Sequence, residues 1–258
     1  MSNYFSDRIA LVTGGTSGIG KAVALAFARK GATVIICGRN REAGDLTVKE
    51  NLEQDGTIEF IQGDISDSDE IAALFLRIRE KYQKLDYAFN AAGAEADVAP
   101  LIMQSEKHFN EMVSVDFRGI FLCMKHEITI MQKHGKGSIV NCAAMSGLRG
   151  SQGSSIYSAC KHAIIGLTKS AALECVDMNI RINSVCPGII QTPGLDRTFN
   201  KIPGFDFEDV KQWGLNQIPM KRFGQSQEVA NAVLWLSSDE SSYVTGHSLI
   251  VDGGLHCR

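Results

Sequence analysis

The chain has 258 residues, is 44% hydrophobic and 21% charged, and carries a formal net charge of −3. This composition is typical of a globular protein with a sizeable core. No lysine- or arginine-rich run is present, which argues against nucleic acid or an anionic membrane as the partner.

The N-terminal segment MSNYFSDRIALVTGG lacks a basic stretch followed by an apolar core, so it does not resemble a signal peptide. No apolar run approaches the roughly 20 residues that span a bilayer. The seven cysteines are scattered without a C-x-x-C pair, and the six histidines form no zinc-binding spacing. We therefore expect buried free thiols, no bound metal and a cytoplasmic protein.

Short apolar runs alternate with longer amphipathic stretches along the chain. Most of the runs are β-branched and lack polar alternation, which is typical of parallel strands covered on both faces. We predict strands at Ile9–Thr13, 33–37, 58–61, 85–90, 138–142, 180–186 and Ser248–Val251, and helices at 20–30, 67–82, 108–133 and 155–176. This order predicts right-handed βαβ crossovers and a doubly wound α/β sheet. Because no linker interrupts it, we expect one domain over residues 1–258.

The segment VTGGTSGIG (12–20) follows the first predicted strand and opens the first helix. Gly14, Gly18 and Gly20 permit a tight turn and close approach of a pyrophosphate, and the helix N-terminus supplies free N–H groups. The strand-then-helix context makes this a predicted dinucleotide site.

The second predicted strand ends in VIICGRN, with Gly38 where an NAD site would place a carboxylate. Arg39 follows, and a guanidinium can bind a 2′-phosphate through two hydrogen bonds. NADP(H) is therefore favoured, with NAD(H) as the alternative. Residues Thr16 and Ser17 add no second cation in the glycine loop.

Five motifs occur in order along nearly the whole chain: TGGTSGIG (13–20), NAAG (90–93), YSACK (157–161), PG followed by Thr192 (187–192), and VTGHSLIVDGG (244–254). Together they resemble the short-chain dehydrogenase/reductase family. The resemblance implies a Rossmann-like, seven-stranded parallel sheet in three αβα layers, a nicotinamide cofactor, a small carbonyl or alcohol substrate, and a homotetramer or homodimer. The cofactor residues it implies are Gly14, Thr16, Ser17, Gly18, Ile19, Gly20, Arg39, Asp64, Ile65, Asn90, Ala91, Ala92, Gly93, Tyr157, Lys161, Pro187, Gly188, Ile189 and Thr192.

Tyr157 and Lys161 stand four residues apart on one predicted helix face. In the family such a tyrosine exchanges a proton with the substrate oxygen, while the lysine holds the ribose hydroxyls and favours the phenolate. A unit charge roughly 6 Å away, at an effective dielectric of about 20, contributes around 2.8 kcal/mol. That corresponds to about two pKa units below the usual tyrosine value of about 10. We therefore expect Lys161 to bring the Tyr157 phenol close to working pH.

Two further catalytic positions depart from the family pattern. Where the family usually has Asn-x-Ser-Ser, this chain has Asn141-Cys142-Ala143-Ala144, and the methyl of Ala144 cannot donate a hydrogen bond. Either Ser146 replaces the missing serine, or a substrate group, a water or Tyr157 alone suffices. Asp116 stands where the family has asparagine. Either its backbone carbonyl keeps the family's water-binding role and its carboxylate favours the charged form of Lys161, or it is simply a tolerated polar replacement.

These departures leave a second function open: an NADP-binding protein with little or no oxidoreductase activity, acting as a sensor or partner protein. Epimerases and dehydratases share the Tyr-x-x-x-Lys pair, but they usually have a larger C-terminal region than this chain provides.

Residues 192–219 contain three of the five prolines and form an unusually long connection after a strand. Ligands bind at such strand ends in open α/β sheets, so we predict a substrate-covering flap, with a mobile surface insertion as the alternative. Its composition suggests a partly apolar ketone or alcohol, with charge available for an anionic group. The apolar residues are Phe199, Ile202, Phe205, Phe207 and Trp213, and the cations are Arg149, Arg197 and Lys201.

Overall fold

The computed structural model describes residues 4–51, 55–95, 98–200, 202, 204 and 206–257. Its strands are β1 (Ile9–Thr13), β2 (Thr33–Gly38), β3 (Thr57–Gln62), β4 (Tyr87–Asn90), β5 (Gly137–Cys142), β6 (Ile180–Pro187), β7 (Ile190–Gln191), β8 (Gly224–Gln225) and β9 (Ser248–Val251). Seven of them form one parallel sheet in the order β3–β2–β1–β4–β5–β6–β9, which confirms the predicted sheet. The short strands β7 and β8 pair separately.

The side chains of the central strands are buried on both faces of the sheet. Leu11 and Ile35 face one apolar cluster, whereas Val12 and Ile36 face the other, as the period of two along a strand requires. This double burial explains why the strands read as unbroken apolar runs.

The helices are α1 (Gly18–Ala28), α2 (Arg41–Glu50), α3 (Ser68–Tyr82), α4 (Glu106–Val113), α5 (Ile120–His134), α6 (Ser155–Cys175), α7 (Pro193–Phe199), α8 (Phe207–Gln217) and α9 (Ser226–Ser237). Apolar residues of α3, α5 and α6 cover one face of the sheet, and those of α1 and α9 cover the other. The result is the expected three-layer αβα arrangement.

Local capping sets several helix starts. Asp67 accepts hydrogen bonds from the backbone N–H groups of Asp69 and Glu70 at the start of α3, and Asn40 accepts one from Ala43 at the start of α2. In contrast, Ser17 at the start of α1 makes no side-chain cap, so the first N–H groups of α1 stay available to a ligand.

The predicted helix over 108–133 is helical throughout, but it is not a single α-helix. A π-helical turn, Ser114–Gly119, separates α4 from α5 and carries Asp116. A π-turn accommodates one extra residue, and such turns are frequent at functional sites.

Five of the seven cysteines are buried, Cys142 is half-buried, Cys257 is exposed, and all seven are free thiols. In the described ranges, no helix is both long and apolar enough to span a membrane. The same ranges contain no group of three metal-ligating side chains.

Candidate active site

A cleft of about 2050 Å³ opens at the carboxyl ends of the parallel strands. Loops that follow β1, β2, β4, β5 and β6 line it, and the β1–β4 boundary is the point at which the strand order reverses. Open α/β sheets bind their ligands at this kind of position. The fold therefore places the predicted cofactor loop, the tyrosine–lysine pair and the flap around one cavity.

The glycine loop forms one end of this cleft. Gly14 has a φ of +69°, and a Cβ there would lie 2.8 Å from the Ala92 backbone, so this loop packs directly on the NAAG segment. Gly18 has a φ of +52°, and a Cβ there would lie 3.3 Å from Thr192 across the cleft. Together with the uncapped N-terminus of α1, this close backbone surface fits a pyrophosphate group.

The end of β2 carries the residues expected to select the cofactor. Gly38 leaves no carboxylate there, and the Arg39 side chain is 71% exposed on the cleft wall. Its guanidinium lies 3.7 Å from the Asp64 carboxylate, a long and solvent-exposed ion pair of small energetic value. Arg39 can therefore turn toward an anionic ligand at little cost.

The NAAG segment is held by Thr13 at the end of β1. The Thr13 hydroxyl accepts hydrogen bonds from the backbone N–H groups of Ala91 and Ala92. Ala91, Ala92 and Gly93 line the cleft as expected.

The expectation that Asn90 lies along the cofactor is not met by its side chain. It is fully buried and donates hydrogen bonds to Glu127 Oε2 and Asn141 Oδ1, each at 3.1 Å. The reason is strand alternation, because Asn90 shares the face of β4 with Ala88, which packs in the layer that contains α5.

Tyr157 and Lys161 lie on one face of α6, and both line the cleft. The Lys161 ammonium is 5.3 Å from the centre of the Tyr157 ring. It also lies 2.8 Å from Asp116 Oδ1 and donates a hydrogen bond to the Cys142 carbonyl at 3.2 Å. Lys161 and Asp116 thus form a short, buried ion pair.

The pKa of Tyr157 differs from the expectation. Burial raises the pKa of Tyr157 to about 12; Lys161 opposes this rise, and Asp116 adds to it. Burial alone would lower the pKa of Lys161, but Asp116, Tyr157 and Cys142 together outweigh that effect and the pKa is raised. The expected lowering of the phenol pKa toward working pH is therefore wrong for this structure, because burial of the phenol outweighs the attraction of Lys161, and Asp116 adds to the rise.

Ala144 and Ser146 both line the cleft after β5. The short turn Met145–Gly147 is fixed to α6, because the Ser158 hydroxyl donates to the Ser146 carbonyl at 2.6 Å. A Cβ at Gly147 would lie 2.6 Å from the Lys161 carbonyl, so the turn lies close against the helix backbone. The role of Ser146 as a replacement donor stays a prediction.

The segment 192–219 contains α7 and α8 and supplies much of the far cleft wall. Thr192 caps α7 by accepting a hydrogen bond from Leu195 N–H at 3.1 Å. Phe199, Ile202 and Trp213 line the cleft, whereas Phe207 packs behind them. Phe205 and Lys201 lie outside the described residues.

Of the three cations predicted to be available to a substrate, the two that the structure describes are engaged within the fold. Arg197 pairs with Glu95 on the opposite wall. Arg149 donates a hydrogen bond to the Leu255 carbonyl at 3.2 Å.

The cleft lining contains every predicted catalytic and cofactor-binding residue except Asn90. Sequence reasoning missed the wall formed by Glu95, Val98, Ala99, Pro100 and Met103. It also missed the Cys142 carbonyl and the Ala94 N–H, which contact Lys161 and Asp116. Backbone contacts of this kind carry no residue-type signal; only the position of Cys142 at the end of a predicted strand could have indicated its role.

A family model described as enoyl-(acyl carrier protein) reductase matches residues 14–256 of the chain. The chain is 38% identical over 248 residues to 3-oxoacyl-(acyl-carrier-protein) reductase FabG of Thermotoga maritima, covering 96% of this chain and 97% of the relative. It is 35% identical to a 3beta-hydroxysteroid dehydrogenase of Mediterraneibacter gnavus, with 97% and 95% covered. Among solved structures, levodione reductase matches with a TM-score of 0.95 at 32% identity, covering 98% of this chain and 99% of that one.

Proposed function

Because the chain belongs to the short-chain dehydrogenase/reductase family, we propose that it is an NAD(P)-dependent oxidoreductase. It transfers a hydride between nicotinamide C4 and a ketone or secondary alcohol. The observation that carries this proposal is the Tyr157–Lys161 pair in the cleft, with the ammonium 5.3 Å from the phenol ring. The relatives named above are reductases and dehydrogenases, which supports the same reaction class.

Each residue of the site has its own role in this reaction. When bound, the nicotinamide supplies or accepts the hydride. Tyr157 gives a proton to the carbonyl oxygen in reduction and takes one from the hydroxyl in oxidation. Lys161 stabilises the phenolate that reduction leaves behind and is itself held by Asp116 and Cys142. Pro187, Gly188, Ile189 and Thr192 would hold the nicotinamide end, since they line the cleft beside this pair.

For the cofactor we propose a preference for NADP(H), with NAD(H) as the alternative. The absence of a carboxylate at Gly38 and the exposed guanidinium of Arg39 support binding of a 2′-phosphate. The chain is also similar to a solved structure described as NAD⁺-bound xylitol dehydrogenase, at a TM-score of 0.92 and 30% identity, which supports NAD(H) as the alternative cofactor.

The far cleft wall supports a partly apolar substrate of medium size. Phe199, Ile202 and Trp213 face Val98 and Met103 in the lining of the same cavity. Since Arg197 and Arg149 are already engaged, a strongly anionic substrate group is less favoured than the sequence alone suggests.

We also infer that the chain forms a homo-oligomer, either a dimer or a tetramer. Leu173 and Val176 on α6 and its C-terminal end are 80% and 56% exposed, which leaves an apolar surface for a second copy. The exposed edge strand β9 carries the C-terminal motif of the family.

Replacing Tyr157 by phenylalanine tests the reaction. We expect turnover of a ketone panel with NADPH to fall below about one per cent, because the variant lacks the exchangeable proton. NADPH affinity, measured by nucleotide fluorescence, should change less than about threefold. Tyr243→Phe is the matched control, since that side chain is fully exposed. Full activity in Tyr157→Phe would contradict the mechanism.

Ala144 is the residue that supports the second candidate function, an NADP-binding sensor or partner protein with little or no oxidoreductase activity. Losing one preorganised donor typically costs about 10²–10³ in rate, and Ala144 leaves a methyl where such a donor would stand. Tight NADPH binding by the native protein without turnover of any ketone or alcohol would favour a sensor or partner protein over an enzyme.

A further inference from the structure

The Asp116 carboxylate is completely buried, and both of its oxygens are engaged. Oδ1 lies 2.8 Å from the Lys161 ammonium, and Oδ2 accepts a hydrogen bond from Ala94 N–H at 2.6 Å. Lys161 is itself only 5% exposed. The pair therefore joins the π-helical turn, α6 and the loop that follows the NAAG segment through a charge contact that water screens little.

The charge of Lys161 consequently acts on Tyr157 in combination with that of Asp116. The titratable groups facing the phenol are Lys161 and Cys160 from α6, Asp116 from the π-turn, and Cys142 from β5. Of these, only Lys161 is a cation. A cation paired with a buried anion attracts a developing phenolate less strongly than a lone cation, because the two fields partly cancel.

We propose that Asp116 is a positioning residue that holds Lys161 in place and, together with burial of the phenol, keeps Tyr157 protonated through the neutral pH range. This inference rests on the proposed function and assigns it a direction: at neutral pH the site is set to donate a proton to a carbonyl oxygen. In that reduction the hydride from the dihydronicotinamide bonds to the carbonyl carbon, and the π electron pair moves to oxygen. Oxygen then takes the proton of Tyr157, which is left as a phenolate beside Lys161.

The reverse reaction needs the phenolate at the start. Alcohol oxidation should therefore be slow at neutral pH and accelerate as the medium becomes alkaline. The methyl of Ala144 provides no hydrogen bond to the substrate oxygen. Stabilisation of the charge that develops on this oxygen therefore depends more on proton donation by Tyr157.

Asp116→Asn tests the proposal, because it keeps the side-chain size and removes the charge. Tyrosinate absorbance is followed from neutral pH to about pH 11, and the spectrum of Tyr157→Phe in the same background is subtracted to isolate Tyr157. We expect Tyr157 to ionise about one pH unit or more lower in Asp116→Asn than in the native protein. Asp209→Asn, which removes a carboxylate from another part of the cleft wall, should leave the titration unchanged.

The same shift should appear in catalysis. The rising limb of kcat/KM against pH for alcohol oxidation with NADP⁺ should move to lower pH in Asp116→Asn by the amount seen in the absorbance titration. An unchanged Tyr157 titration in a folded Asp116→Asn protein overturns the inference.

Two further results, a variant that does not fold and a native protein without turnover, also bear on the role of Asp116. If Asp116→Asn does not fold, the native titration alone decides, and ionisation of Tyr157 below about pH 9 overturns the inference. If the native protein turns over no substrate, the proposed function fails, while the absorbance titration still reports on Asp116.

Discussion

At the scale of single residues, the site is defined by which charges are buried together. Lys161 and Asp116 are both sealed from solvent, so neither can be replaced without leaving its partner buried and unpaired. Arg39, in contrast, is exposed and only loosely paired with Asp64. Under the proposed function, the Lys161–Asp116 pair sets the chemistry, and Arg39 is free to recognise a ligand.

We expect Arg39→Ala to weaken NADPH binding by about 10–100-fold, the range of a lost charge-assisted hydrogen bond. NADH binding should change little, because NADH has no 2′-phosphate. Fluorescence titration with both nucleotides measures the difference. Arg41→Ala is the matched control, since Arg41 is exposed and lies two residues farther along, at the start of α2. Equal losses for NADPH and NADH in Arg39→Ala would contradict the NADP preference.

At the scale of elements, the start of α1 depends on how closely the backbone folds on itself. A Cβ at Gly20 would lie 2.2 Å from the Gly14 carbonyl oxygen, a distance that requires the backbone to move. The two glycines lie on either side of the uncapped start of α1. A change in the conformation of the loop therefore also changes the direction of the free N–H groups of the helix.

Gly20→Ala should therefore open the loop and reduce NADPH affinity by at least about tenfold. Isothermal calorimetry gives the affinity, and circular dichroism checks that the fold is retained. Gly166→Ala is the control, because that exposed helical glycine has nothing within 4 Å of an added Cβ. Its affinity should be unchanged and its stability slightly higher, by up to about 1 kcal/mol. Native affinity in Gly20→Ala would contradict this account of the loop.

The elements also show how far sequence reasoning extends. The seven sheet strands and the glycine loop are predictable, because burial on both faces and the need for a close backbone approach leave local signatures. The π-turn at Ser114–Gly119 is not, since it depends on packing on both sides of the turn. The position of the Asn90 side chain is not predictable either, because its partner Glu127 lies 37 residues away.

At the scale of the whole molecule, one buried polar network ties the layers together. Asn90 on β4 connects Glu127 on α5 with Asn141 on β5, and Asn141 donates to Thr168 on α6 at 3.0 Å. Glu127 is fully buried, and its Oε1 has no hydrogen-bond partner among the described residues. Burial raises the pKa of Glu127 to about 8, against a smaller lowering by Asn90.

Glu127 should make global stability depend on pH. The folded protein favours the neutral carboxyl of Glu127. The stabilisation that this group gives to the folded state is therefore complete below its ordinary pKa of 4.5 and is lost as the pH rises to about 8. The loss in the free energy of unfolding is on the order of 5 kcal/mol. We expect Glu127→Gln, which stays neutral, to flatten this dependence and to be the more stable protein above about pH 8.

Urea unfolding at several pH values between about 5 and 9 measures this dependence. Glu240→Gln is the control, since Glu240 is exposed and its replacement should leave the native pH profile intact. Parallel profiles for the native protein and Glu127→Gln would show that Glu127 is not the group responsible.

The π-turn also restricts how the length of this chain can vary. Met112 before the turn packs against α6, Asp116 within it contacts Lys161, and Met124 and Glu127 after it are buried beneath the sheet. Deleting one residue would rotate α5 by about 100° relative to α4, so one of these three attachments would have to break. Insertions and deletions that surface loops accept should therefore be excluded from this stretch in any functional descendant of the gene.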